Sequence, residues 1–154
     1  MAANYRIDAL QYANWSEKIF RQMREGGLDA VHVTIAYHEN FRETVANMER
    51  WNERFERYPH LIFQGFTGDD VRLARETNRT AIFYGFQNPS PIEDDIRLVE
   101  ILHTLGARFM QLSRTSMPRH PICSKKADWG LIAATRPEIR SMTAARKVRT
   151  AEAV

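Results

Sequence analysis

Thr80-Ala-Ile-Phe-Tyr-Gly-Phe-Gln-Asn-Pro-Ser-Pro-Ile-Glu-Asp-Asp95 reads as a buried strand that stops at a polar turn and passes at once into a capped helix. The run from Ala81 to Phe86 is apolar on both alternating faces, as a strand covered by helices on both sides requires. Gln87-Asn88-Pro89 ends it. Ser90 then offers an N-cap, Pro91 sits in the first turn where its missing N–H is harmless, and Glu93 closes a capping box. In a parallel α/β protein such a strand-to-helix junction lies on the face where ligands bind.

The pattern extends in both directions. Residues 6–10 form a short apolar run, a first strand. Asn14 with Glu17 has capping-box spacing, Trp15, Ile19, Phe20 and Met23 recur at helical spacing, and Gly26-Gly27 stop that helix. Residues 28–35 alternate Val31, Val33 and Ile35, a second strand. Phe41, Val45, Met48, Trp51, Phe55 and Tyr58 fall at steps of four and three, with Glu and Arg on the other faces and Pro59 as terminator. That stripe reads as core. Residues 60–66 read as extended, and Thr67 as the cap of a short helix over 70–77. After Ser90, the residues Ile92, Ile96, Val99, Leu102 and Leu105 make one apolar face of a helix that Gly106 stops, and a further strand begins over 108–112. Strands alternating with helices predict an α/β fold with parallel strands and helical crossovers.

After Leu112 the pattern is lost. Residues 1–112 carry 13 basic and 16 acidic side chains, a balance of −3, whereas residues 113–154 carry 9 and 3, a balance of +6. The expected organisation is a patterned unit over 1–112 and an irregular, basic, largely unpacked tail over 113–154, with a short helix near 141–151. The basic tail could meet nucleic acid electrostatically. It lacks interleaved aromatics and a recognised fold, so nucleic acid is not the expected partner.

The 154 residues, 44% hydrophobic and 27% charged, are ordinary globular composition for one domain. No apolar run approaches the roughly 20 residues of a membrane span. The N-terminus lacks the apolar core of a secretion signal. Cys123 is the single cysteine and reads as an inert thiol, so no internal disulfide forms and a reducing cytoplasm is the expected setting. The five histidines show no metal-ligand spacing. His32 reads as a packed strand residue, and His38, after that strand, as a ligand-face candidate. Glu93-Asp94-Asp95 reads as acid in a helix's first turn, meeting the positive end of its dipole. Gln87 and Asn88 read either as ligand-face residues or as a turn pair capping backbone groups before Pro89.

Several stretches together resemble the bacterial members of the membrane (renal) dipeptidase family. They are Ile7-Asp-Ala-Leu-Gln-Tyr-Ala-Asn-Trp15, Gly26-Gly-Leu-Asp-Ala-Val-His-Val-Thr34, Glu39-Asn-Phe-Arg-Glu-Thr44, Gly85-Phe-Gln-Asn-Pro-Ser-Pro-Ile-Glu-Asp-Asp95 and Leu105-Gly-Ala-Arg-Phe-Met-Gln-Leu112. The resemblance implies that 1–112 form part of a (β/α)₈ TIM-like barrel. It also implies zinc-dependent hydrolysis of dipeptides, with two cations activating a bridging water and stabilising charge on the scissile carbonyl.

Three departures stand against that activity. Metal-binding members carry Asp-Gly-His-x-Asp after the first strand, where this chain has Asp8-Ala-Leu-Gln-Tyr12. Leu10 has no donor atom and Tyr12 is a poor zinc ligand. The family's bridging glutamate is replaced by Gln87, whose neutral amide bridges two cations badly. The later histidine ligands lie beyond the matched region, where Ser113-Arg-Thr-Ser116 replaces the family's continuation and only an echo such as Ala127-Asp-Trp-Gly-Leu131 remains.

The substrate-face candidates are therefore Gln87, Asn88, His38, Asp8 and Gln11, with no intact metal set. Zinc is the cofactor by resemblance but is not expected to be held by this chain, and no dipeptide turnover is expected from it alone. The alternative is a non-catalytic binding or interaction module of the same fold, and self-association through open sheet edges is expected. Residues 113–154 are expected to be a frame-shifted or scrambled continuation ended by a premature stop. Absence of a family-like continuation from every reading frame of the gene would refute this.

Overall fold

β-Branched and aromatic residues set two fully buried strands at the centre of the sheet, Ala30–Ala36 (β2) and Thr80–Phe86 (β4). The computed structural model describes residues 4–111 and the backbone of residues 132–133. Around β2 and β4 lie the strands Ile7–Gln11 (β1), Ile62–Gln64 (β3), Ala107–Met110 (β5) and Ile132–Ala133 (β6). The helices are Glu17–Glu25 (α1), Phe41–Arg57 (α2), Gly68–Glu76 (α3) and Leu98–Thr104 (α4). The expectation for the tail lies outside the described residues, apart from the backbone of β6.

β1, β2, β4 and β5 run parallel in that spatial order. Short β3 shares the outer side of β4 with β5: β3 lies beside Thr80, Ala81 and Ile82, and β5 beside Tyr84, Gly85 and Phe86. The result is a parallel α/β sheet that does not close among the described residues, part of a TIM-like barrel. β6 pairs antiparallel with β5 at Phe109 and Met110. At the other end of the sheet the outer side of β1, where Ile7 is 59% exposed, has no partner strand among the described residues.

The two faces of the sheet pack differently. Val31, Val33 and Ile35 join Ile82, Tyr84 and Phe86 under Phe20 and Met23 of α1 and Met48 and Trp51 of α2. Ala30, Ala81 and Phe83 face the other way, under Val71 and Ala74 of α3. Asp29, just before β2, ties the end of the sheet together. Its buried carboxylate accepts the Arg6 N–H at 2.9 Å and pairs with the Arg75 guanidinium of α3. Burial opposes its ionisation, but the bonds from Arg75 and Arg6 outweigh that and hold the carboxyl below the usual range.

Local capping departs from the sequence reading in two places. The N-cap of α1 is Ser16 rather than Asn14, because Glu17 is drawn into a pair with Arg21 one turn on, at 2.6 Å. The helix expected to run unbroken from Ser90 is divided. Residues Ser90–Ile92 form a single 3-10 turn, Glu93 turns the chain at φ 52°, and α4 begins at Leu98. The cause is long-range. The Glu93 carboxylate does not close a box at Ser90 but accepts the Phe41 N–H at 3.1 Å, at the start of α2. There it supplements the capping box of Asn40 with Glu43, a spacing visible in the sequence that the reading above does not use. With the helix divided, Ile96 falls on the exposed side instead of joining an apolar stripe.

Candidate functional site

Parallel strands converge their carboxyl ends on one face, and the candidate residues sit there. Gln87 follows β4, and its N–H is held by the Ala36 carbonyl at the end of β2. Its side-chain amide donates to Thr34 Oγ1 at 2.9 Å, which fixes the tautomer-like choice of which end of the amide faces β2. Asn88 lies beside it but plays the turn-capping part. It is 1% exposed, donates to the Tyr37 carbonyl and accepts the Ser90 N–H at 3.0 Å. It thereby pins the β2–α2 loop to the β4 junction.

The other candidates separate. His38 is exposed on the β2–α2 loop, edge-on to Tyr37 at 4.2 Å. Its N–H and that of Tyr37 donate to Glu39, whose carboxyl stays below its usual range because these bonds outweigh the effect of burial. Asp8 and Gln11 hydrogen-bond each other on β1 at 2.5 Å. A groove of about 1020 Å³ opens at the strand ends and gathers Gln87 and His38; Asp8, Gln11 and Asn88 do not line it. Thr34 and Gln87 lie at its strand end, and Tyr12 and Trp15 form one wall. A stripe of α2, Glu43, Asn47, Arg50 and Arg54, forms the other. Those residues, spaced by four, three and four, were read in the sequence only as the solvated side of a helix. Their spacing could have marked a continuous polar stripe.

The described residues do not fit the pair of zinc ions that the resemblance implies. Leu10 brings no donor and stands at a bulge with φ 107°, a backbone region that favours glycine. Tyr12 is 82% exposed. Gln87 donates one of its two amide N–H groups to Thr34, and its only possible metal donor is a neutral carbonyl oxygen. Among the described residues no three His, Cys, Asp or Glu side chains are grouped as a metal would need.

His32 occupies the opposite sheet face from the α1–α2 core. It is 7% exposed, stacks on Phe109 at 4.6 Å, and its Nε2 has no hydrogen-bond partner among the described residues. Desolvation pushes its pKa down to about 4, so the ring is neutral. It is a packed strand histidine, as its place in the sequence implies.

No family profile and no curated protein matches the sequence. Solved structures do. An amidohydrolase from Pseudomonas aeruginosa shares 33% identity and a TM-score of 0.70, over 74% of this chain and 35% of that one. The chain is similar in sequence to that amidohydrolase and shares its fold over the matched part. Two dipeptidase structures have the same fold: dipeptidase AC, a metallopeptidase, and the probable dipeptidase PvdM from Pseudomonas aeruginosa. The first gives 16% identity and a TM-score of 0.56 over 69% of this chain and 41% of its own, the second 15% and 0.54 over 61% and 27%. These matches bear out the dipeptidase resemblance and the partial barrel. The chain spans about a third of the amidohydrolase's length, 35%. No helix among the described residues is long and apolar enough to cross a membrane.

Proposed function

We propose that this chain is a wall of a dipeptidase-type hydrolase barrel that presents a peptide-binding mouth but does not itself cleave dipeptides. The observation that carries this is Gln87. At the end of β4, where the family resemblance calls for a carboxylate bridging two metals, the side chain is an uncharged amide with its N–H already bound to Thr34. A carbonyl oxygen so placed can accept a hydrogen bond from a peptide N–H or an ammonium group, but it cannot neutralise two divalent cations. Zinc, the cofactor that the resemblance implies, would supply the activated water in such enzymes. The described donors here offer it no site. The single cysteine favours a reducing, cytoplasmic setting.

The purified full chain, given zinc and a panel of dipeptides, is expected to release no amino acid above the buffer rate. Release that depends on zinc and disappears on chelation would contradict the proposal.

The alternative reading, a non-catalytic interaction module, is favoured by β1. Its outer edge has no partner strand among the described residues and lies beside exposed Ile7 and Leu10, the arrangement that accepts an added strand.

A further inference from the structure

We propose that the groove along α2 is a carboxylate-binding site in which Arg50 and Arg54 hold the anion against an aromatic wall. This goes beyond the reading of Gln87 and does not depend on it.

The groove is lined by two carboxylates and two guanidinium groups, which do not pair with one another among the described residues. Glu39 and Glu43 line its upper part, but both are engaged in holding the loop and the helix start. Glu39 accepts the N–H groups of Tyr37 and His38, at 2.6 and 2.9 Å. Glu43 accepts the Asn40 N–H at 3.0 Å as half of the capping box. Neither forms an ion pair among the described residues.

Arg50 and Arg54 make no ion pair among the described residues. They stand one turn apart on one face of α2, where side chains are neighbours. Arg50 Nη1 donates to Asn47 Oδ1 at 2.8 Å, and Arg54 Nη1 to the Arg50 carbonyl at 3.0 Å. No carboxylate lies within ion-pair distance of either among the described residues, although the charge of Glu53, next in sequence, acts on Arg54. Arg54 is half-buried, with its guanidinium 5.0 Å from the centre of the Trp51 ring. Desolvation first, and then the neighbouring Arg50 charge, lower its pKa. A half-buried guanidinium with a like charge one turn away is relieved by a nearby anion.

The shape of that anion follows from the donors. A guanidinium presents a planar fork that matches a carboxylate bidentately. Trp15, half-buried beside Trp51 of α2 and edge-on to it at 5.1 Å, also lines the groove and offers an aromatic surface to the body of the ligand. The ligand class is therefore a small molecule with a free carboxylate and an apolar or aromatic body, as at the C-terminus of a short peptide.

The test uses the full chain with Trp129→Phe, so that the emission comes from Trp15 and Trp51. The probes are N-acetylphenylalanine, its amide and inorganic phosphate, none of which has a bond between two amino acids, so the result is independent of dipeptide recognition. The acid is expected to change the emission saturably, and the amide to bind at least roughly tenfold more weakly, the loss of a charge-assisted contact. Arg50→Gln is expected to weaken the acid by about the same factor. Arg54→Lys, which keeps the charge but loses the fork, is expected to weaken it as well. Unchanged thermal unfolding of Arg50→Gln, whose side chain is exposed, shows that the effect is local. Equal binding of acid and amide, no response to the acid, phosphate binding more tightly than the acid, or acid binding untouched by Arg50→Gln would each overturn the assignment.

Discussion

Gly85→Ala is expected to lower the unfolding free energy by about 3 kcal/mol, at the upper end for overpacking a buried site. Gly85 lies in the middle of the sheet, opposite Thr34 of β2. A methyl group there would overlap the His32 imidazole, with Nε2 its nearest atom. The ring cannot step aside freely, because Phe109 stacks on it at 4.6 Å and Phe83 packs edge-on to Phe109. The glycine is thus required by the space that the histidine fills. Urea titration of Gly85→Ala, His32→Ala and the double variant checks this. The double variant is expected to be more stable than the sum of the single losses predicts, by about 2 kcal/mol, since the two groups compete for one space. Strict additivity would show that the clash is not the cause.

The same histidine governs the second large effect, on acid stability. In the unfolded chain His32 takes up a proton near its ordinary pKa of 6.5, whereas in the folded sheet it resists until about 4. Between those values the unfolded state binds more protons, so stability falls as the pH falls. The contribution is complete above pH 6.5, and by pH 4 about 3 kcal/mol has been lost, at 1.36 kcal/mol per unit of pKa difference. Asp29 and Glu39, held below the usual carboxylate range, act in a lower window. The slope from pH 6.5 to 4 therefore belongs largely to His32. Denaturant midpoints measured across this range should fall in the native chain and flatten in His32→Phe, which keeps an aromatic ring against Phe109. Parallel slopes in the two proteins would contradict the assignment.

What the sequence reveals depends on how locally each feature is determined. β4 was readable to the residue, because a strand covered on both faces leaves an unbroken apolar run from Ala81 to Phe86. The buried stripe of α2 was readable from its period alone, and Trp51 lies in the core as that period requires. The division of the last helix was not readable. It depends on Glu93 reaching the Phe41 N–H, a bond between residues 52 apart in sequence. A local capping signal at Ser90 lost to a distant one at α2.

The site divides in the same way. The chemistry of Gln87 is written in its residue type, but its commitment to Thr34 requires β2 and β4 to be neighbours. Asn88 and Gln87 looked alike in sequence. The fold turned one inward to Tyr37 and Ser90 and left the other at the groove. Arg50 and Arg54 were legible only as a solvated helix face, because Glu39 and Glu43, which share the groove with them, take up backbone N–H groups only once the loop folds.

The central claim is that this dipeptidase-type wall does not carry the two-zinc centre, because Leu10, Tyr12 and Gln87 stand where the resemblance places ligands. The most direct measurement is zinc bound per chain, by elemental analysis after purification in zinc and dialysis against metal-free buffer. The account predicts far less than one equivalent. Two equivalents retained by the folded chain would contradict it.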